Sequence, residues 1–125
     1  MKNKENIIRG KTYEFSIDII RLYSDLYKQK EFVLSKQLLR SGTAIGANIE
    51  EATAAQSRKD FVSKMSIASK EARETNYWLR LLRDSSICRD TKLPELINKS
   101  EDIIKIITAI VKTSQKNPSQ RDLKF

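Results

Sequence analysis

The chain has 125 residues, a formal net charge of +8 and charged side chains at 32% of its positions. This length fits one domain with a single core, and no apolar run approaches the roughly 18–20 residues that a membrane span requires. Histidine is absent, which excludes Ser-His and Cys-His nucleophile pairs, histidine bases and the commonest metal ligand.

Composition also indicates the cellular location and limits the chemistry that we expect. The first residues are polar and lack the long apolar stretch of a secretory signal, so we expect a cytoplasmic protein with no membrane partner. Cys88 is the single cysteine and forms no intrachain disulfide, so a buried or half-buried thiol without a special role is the expectation. Zinc would have only carboxylates and one thiol as ligands. We therefore expect no metal, no cofactor and no catalytic residue.

The first half of the chain predicts two helices. Apolar residues recur every three or four positions and strand-like alternation is absent, so the predicted class is all-α. We place the first helix at about 7–28, a polar turn after it, and the second helix at about 32–55. The positions expected to face the core are Ile8, Phe15, Ile19, Leu22 and Leu26, followed by Leu34, Leu38, Ser41, Ile45, Ile49 and Ala52.

The second half predicts two more helices. Ser57 is the predicted N-cap of a helix at about 58–86, because its hydroxyl can accept from the Asp60 amide. Pro94 is tolerated in the first turn of a helix, which we place at about 92–116, and residues 117–125 are predicted to be a flexible basic tail. The expected core stripe of the third helix is Phe61, Met65, Ala68, Ala72, Thr75, Leu79 and Leu82.

Four such helices joined by short turns favour an antiparallel up-and-down four-helix bundle, here at residues 1–116. The positive charge is concentrated at the two ends of the chain: residues 1–11 and 112–125 each carry a net +3, against +2 for the residues between. In this topology both termini and the turn after the second helix meet at one end, which we call the basic pole. Its predicted nucleic-acid-binding residues are Lys2, Lys4, Arg9, Lys11, Arg58, Lys59, Lys112 and Lys116.

The first and fourth helices are apolar over a wider arc than one core requires. Either the tyrosines straddle the core boundary and the isoleucines fill a broad groove, or these faces meet other copies of the chain. We favour self-association slightly. The predicted interface residues are Tyr13, Ile20, Tyr23, Tyr27, Ile103, Ile106 and Ile110.

Helix two also contains a run of small residues with Gly42 and Gly46, and each glycine costs up to about 1 kcal/mol inside a helix relative to alanine. Close approach of a neighbouring helix is the expected compensation. Glu50 and Glu51 could meet carboxylates of helix three in an acid–base cluster, although ion pairs with nearby arginines and lysines are the simpler interpretation. Trp78 is expected to be a packing anchor rather than a platform for nucleobases.

The stretch 35–52, with Gln-Leu-x-Arg-Ser followed by Asn-Ile-x-Glu-Ala, resembles the signature of four-helix bundle proteins encoded in intervening sequences of bacterial 23S ribosomal RNA genes. Residues 57–61 and 67–75, with Ala-x-x-Glu-Ala-x-Glu, continue the resemblance into helix three. Many relatives have Glu-Gly where this chain has Glu51-Ala52, a departure that falls near the predicted end of helix two. The signature positions fall on Gln37, Arg40, Asn48, Glu51, Ala68, Glu71 and Glu74.

This resemblance implies a left-handed up-and-down bundle that assembles into a ring-like homopentamer without catalytic activity. The signature residues would then be polar contacts that specify the bundle. The fold is also similar to that of the accessory variability proteins of diversity-generating retroelements. Those proteins associate with a reverse transcriptase, so this similarity implies a reverse transcriptase as a further partner of the pentamer.

Two functions follow from these observations. The first is an oligomer that binds nucleic acid, most naturally RNA, through clustered lysines and arginines with little sequence specificity. The second is a scaffold that presents a surface to an enzyme partner such as a reverse transcriptase, with nucleic acid incidental. The positive charge has a third interpretation, since it also keeps a protein dispersed.

Overall fold

The structure, a computed structural model, describes the backbone of residues 2–116 and the side chains of residues 4–116. Within that part of the chain there are four helices and no strand: α1 (Lys2–Lys28), α2 (Leu34–Thr53), α3 (Arg58–Asp84) and α4 (Leu93–Lys116). Each helix packs against two others, in the pairs α1–α2, α2–α3, α3–α4 and α1–α4. The all-α prediction is confirmed, and the predicted tail lies outside the described residues.

The predicted helix boundaries differ most at the start of α1. That helix begins at Lys2 rather than near residue 7, because polar first turns carry no apolar repeat by which they could be recognised. Apolar spacing located the core well. Every core position predicted for α1, α2 and α3 is buried, except Leu34, which is half-buried and packs against the core.

The turn between α1 and α2 is formed by two local devices. Lys30 adopts a left-handed conformation with φ 65°, and the amide of Glu31 donates to the Leu26 carbonyl at 2.9 Å, which closes the end of α1. The Glu31 carboxylate then accepts from the amides of Leu34 and Ser35 at 2.9 and 2.7 Å. Glu31 therefore caps α2, where exposed amides and the helix dipole favour a negative charge.

The start of α3 agrees with the prediction from sequence. Ser57 has an extended backbone, and its side chain accepts from the Asp60 amide at 3.0 Å. Pro94 occupies the second position of α4, where its missing amide hydrogen would have no partner inside the helix. Both breaks between helices are thus fixed by local chemistry.

Helices α1 and α2 approach each other closely at the two glycines of α2. A Cβ atom at Gly42 would lie 2.8 Å from Cγ2 of Ile19, and a Cβ atom at Gly46 would lie 3.3 Å from Oγ of Ser16. Ile19 is fully buried and β-branched, so it has few alternative rotamers. The close approach expected for this small-residue segment is therefore present within the chain.

Buried polar pairs join the other helices. The hydroxyls of Ser41 and Thr75 share a hydrogen bond of 2.8 Å between α2 and α3. Asn76 donates its amide hydrogen to the Ser100 hydroxyl at 2.9 Å between α3 and α4. Since an unpaired buried polar group costs about 1–3 kcal/mol, these pairs favour one relative position of the helices over neighbouring ones.

Replacing Gly42 by alanine should lower the free energy of unfolding by about 1–3 kcal/mol, because the added methyl group must displace the Ile19 side chain. Gly10→Ala is the matched control: no atom lies within 4 Å of its Cβ position, so alanine there should stabilise the helix by up to about 1 kcal/mol. Urea denaturation followed by circular dichroism measures both. Equal stabilisation by the two substitutions would show that the close approach costs nothing to disturb.

Candidate nucleic-acid interface

The ends of all four helices that form the basic pole lie close together. Near the start of α1, Arg9 pairs with Glu50 near the end of α2 at 3.0 Å. At the start of α3, Arg58 donates to the Ser114 carbonyl of α4 at 3.5 Å. Lys4 shares a groove with Ala109 of α4. The structure thus brings together the parts of the chain in which the basic residues were predicted.

Four of the predicted basic residues at this pole are exposed, form no ion pair within residues 4–116 and share no groove with a carboxylate: Lys4, Lys59, Lys112 and Lys116. Ammonium groups of this kind are available to neutralise phosphates. Lys2 belongs to α1, but its side chain lies outside the described residues.

Three other predicted residues contribute differently. Arg9 forms an ion pair with Glu50. Arg58 is half-buried, and its guanidinium donates to a carbonyl in the last turn of α4, where a positive charge stabilises the helix end. Lys11 lies on a groove between α1 and α4 that also contains Glu14 and Asp102. These side chains are partly engaged by the fold or faced by carboxylates.

The structure also reveals basic residues that the sequence analysis missed. Arg73 of α3 lies across a groove from Lys105 and Lys112 of α4. Lys105 and Lys112 are seven residues apart, a spacing that places them on one face of a helix and that could have been noticed in the sequence. The position of Arg73 beside them depends on how α3 pairs with α4, which has no local signal.

The apolar stripe predicted on α1 is exposed. The exposed fractions are 66% for Tyr13, 49% for Ile20 and 53% for Tyr27, and Tyr23 is half-buried. The ring of Tyr27 lies 5.0 Å from that of Phe32 and 6.0 Å from that of Tyr23. Large exposed side chains in one contiguous area are typical of surfaces that meet another protein.

The interface prediction was wrong for two isoleucines of α4. Ile103 and Ile110 are only 2% and 0% exposed and belong to the core, so neither is available to another chain. Ile106 is half-buried and lines the groove that contains Lys4 and Ile7. The wide apolar arc of α4 is used mainly for packing, because this helix contacts both α1 and α3.

Most of the charged signature residues connect α2 with α3. Arg40 donates to Glu71 at 3.2 Å and also pairs with Glu74, and Glu51 accepts from Lys64 at 2.7 Å. These carboxylates therefore form the ion pairs that we expected, and they do not form the alternative acid–base cluster. Exposed pairs of this kind contribute only about 0–1 kcal/mol each.

The remaining signature residues are not part of that network. Ala68 is fully buried, where a small side chain lets helices approach. Asn48 donates to the Ala44 carbonyl of its own helix at 2.9 Å, and Gln37 is exposed. Their positions do not form a common site.

Trp78 completes the network around Glu74. Its indole Nε1 donates to the Glu74 carboxylate at 2.9 Å, in keeping with the packing role expected for it. This hydrogen bond, followed by the contact with Arg40, holds the pKa of Glu74 below its usual value, and the hydrogen bond from Arg40 to Glu74 raises the pKa of the guanidinium.

Residues 4–116 contain no group of three or more histidine, cysteine or acidic side chains arranged to hold a metal ion. Within the described part of the chain, no helix combines the length and the apolar character needed to cross a bilayer. Cys88 is buried, and this burial raises the pKa of its thiol, which disfavours the reactive thiolate.

Comparison with known proteins identifies relatives. The family model described as 23S rRNA-intervening sequence protein matches residues 4–109. A solved structure of a protein of unknown function, from the S23 ribosomal protein family of Bacteroides thetaiotaomicron, is 49% identical in sequence with a TM-score of 0.84. The alignment covers 87% of this chain and 98% of that chain. Neither description names an enzymatic activity, and no curated protein matches the chain significantly.

The environment of Glu74 predicts a spectroscopic transition in acid. Because the pKa of Glu74 is lowered in the folded protein, its stabilising contribution is present above the ordinary value of 4.5 and is lost as the pH falls through the lowered value. Trp78 is the only tryptophan, so its fluorescence emission should change with a midpoint below pH 4.5. Glu74→Gln should abolish this transition, and its persistence in that variant would assign it to another group.

Proposed function

The chain belongs to the family of 23S rRNA-intervening sequence proteins, and from this membership we propose that it is a non-enzymatic, homo-oligomeric scaffold that binds RNA through its basic pole. The observation that carries the proposal is the exposure of Lys4, Lys59, Lys112 and Lys116 at one end of the molecule without ion pairs to the described residues. Phosphates that bind there release counterions, which gives an affinity that depends on salt rather than on sequence.

The proposed bundle is antiparallel, up-and-down and left-handed. Contacts between successive helices run in opposite order, which supports the antiparallel part: Ser16 and Ile19 of α1 lie near Gly46 and Gly42 of α2, respectively. Likewise, Arg58 and Asn76 of α3 contact Ser114 and Ser100 of α4. The left-handed turn follows from the resemblance to the family.

The proposed assembly is a homopentamer in the cytoplasm. Its support is the exposed stripe of α1, where Tyr13, Ile20 and Tyr27 follow one another at intervals of seven residues on one helix face. A second copy of the chain would cover these side chains, whereas water would otherwise surround them. The number of copies follows from the resemblance to the family.

Assembly would strengthen RNA binding through multivalency. Each subunit repeats the basic pole around a symmetry axis, so the positive potential increases with the number of subunits. Once one pole holds a strand, the others act on it at high effective concentration, provided that the strand reaches them. A ring would therefore bind a polyanion more tightly than a monomer.

A second candidate is the scaffold for an enzyme partner such as a reverse transcriptase. The exposed aromatic group formed by Tyr23, Tyr27 and Phe32 favours it, because aromatic side chains are enriched at protein interfaces. Under this candidate the protein would bind its partner equally well with or without nucleic acid.

Placing charges in the α1 stripe should dissociate the oligomer. The double variant Ile20→Glu and Tyr27→Lys should remain helical but sediment as a smaller species, because the charged groups would lose water in the interface without a partner. The same exchange at two exposed positions of α3, Ile67→Glu and Tyr77→Lys, is the control and should keep the wild-type sedimentation coefficient. An oligomeric α1 variant would place the interface elsewhere.

Neutralising the pole should weaken RNA retention. The variant Lys4→Gln, Lys59→Gln and Lys116→Gln should lower the slope of log affinity against log salt by about 2, since each contact to a single strand contributes about 0.7. Filter binding between about 0.05 and 0.2 M salt measures it. Lys28→Gln, Lys36→Gln and Lys70→Gln remove the same charge from exposed positions and should have little effect.

The outcomes separate the candidates. Loss of retention in the pole variant alone supports the RNA-binding function. Equal retention by the pole and control variants would contradict a role for the pole. If the wild-type protein retains no RNA at low salt, RNA binding is wrong and the scaffold for an enzyme partner is favoured.

A further inference from the structure

The open groove between α3 and α4 has an unusual charge pattern. It has a volume of about 400 Å³ and is lined by Arg73, Ile104, Lys105, Thr108, Ala109 and Lys112. Three of these six residues are basic and none is acidic. Two grooves on the α1–α4 side include carboxylates such as Asp18 and Asp102. A third groove there contains Lys4 and Lys105 beside apolar residues, so Lys105 borders both sides of α4.

The three cations of this groove are exposed and form no ion pair within residues 4–116. This distinguishes Arg73 from Arg40 and Arg83, whose guanidinium groups pair with carboxylates. Without a neutralising carboxylate, the positive potential of the groove remains available to an anionic ligand.

We propose that a nucleic-acid strand bound at the basic pole continues along the α3–α4 groove, where Arg73, Lys105 and Lys112 contact its phosphates. This inference rests on the RNA binding proposed above and extends its path. Lys112 lines the groove and also belongs to the pole, so the two surfaces are continuous.

The arrangement of the lysines suits the backbone of a strand. Lys105, Lys112 and Lys116 are separated by seven and four residues, so they lie on one face of α4 over about 16 Å. A strand that runs along the groove presents several phosphates over that length. Arg73 contacts the strand from the α3 side of the groove.

Nucleic acid fits this groove better than an acidic helix from another protein. A helical partner inserts apolar side chains at three- and four-residue steps into apolar pockets. Here Ile104 is half-buried against the core, and the other lining residues without charge, Thr108 and Ala109, are small. The remaining three of the six lining residues are cations, which a phosphate backbone can neutralise.

The same lining predicts that the groove does not select bases. None of its residues is aromatic, so it cannot stack nucleobases as single-strand binding platforms do. Arginine and lysine contacts to phosphates carry no sequence information directly. The proposed strand is therefore held by charge alone, and RNA of any composition should bind.

The test uses the full chain with the double variant Arg73→Gln and Lys105→Gln and leaves Lys112 intact. Its matched control is Lys28→Gln and Lys36→Gln, which removes the same charge from exposed positions. The probes are oligo(U) and oligo(A) of about 20 nucleotides, long enough to extend beyond one site. We expect affinity about tenfold lower for both probes and a salt slope lower by about 1.4, with wild-type binding by the control.

A second pair of substitutions separates charge from structure. Arg73→Lys and Lys105→Arg retain both charges and should bind the probes like the wild-type protein. If this pair loses as much affinity as the neutral pair, the effect arises from changed packing and the inference is overturned. A loss for one probe only would contradict recognition of phosphates alone.

The outcomes also distinguish this inference from the proposed function. If the groove variant binds like the wild-type protein while the pole variant binds weakly, the strand stays at the pole and only the groove inference fails. If the groove variant loses affinity while the pole variant does not, the strand binds in the groove alone, and the proposed path from the pole is overturned. If the wild-type protein binds neither probe, both are overturned.

Discussion

The close approach of α1 and α2 is the constraint on which the rest of the structure depends. At Gly42 the buried Ile19 side chain occupies the space that any larger residue would need. This contact fixes the distance between the two helices and their relative position along the bundle axis. It consequently places Arg9 beside Glu50 and brings the first turns of α1 to the end of α2, where the lysines of the pole collect.

The other helix pairs are held by polar contacts of two kinds. Inside the bundle, the Ser41–Thr75 and Asn76–Ser100 hydrogen bonds join α2 to α3 and α3 to α4. A shift along the α3–α4 interface would separate the buried Asn76 amide from its Ser100 acceptor, which is more costly than the net gain from the bond itself. The hydroxyls of Thr75 and Ser100 also bond to carbonyls of their own helices. Outside the core, Arg40 bridges two carboxylates of α3 in an exposed position, so it adds orientation more than stability.

The sequence predicts best what depends on one helix, and its errors lie where the pairing of particular helices decides which side chains are buried or adjacent. Apolar spacing identifies the core of α1 to α3, and local chemistry identifies the Ser57 cap. On α4 the isoleucines cover about half of the circumference, and spacing alone does not tell that Ile103 and Ile110 face inward. The sequence analysis missed the cap formed by Glu31, because this residue precedes the first residue of α2 by three positions. Arg73 was missed because its basic neighbours belong to another helix.

Charge is also divided unequally among the faces of the bundle. Carboxylates of α2 and α3 pair with Arg9, Arg40 and Lys64. These carboxylates therefore neutralise cations of α1, α2 and α3 and not the lysines of α4. The excess positive charge therefore extends beyond the chain termini, along α4 to Lys105. The apolar stripe lies on a different helix, α1. The side chains of that stripe and those that line the α3–α4 groove are therefore different ones.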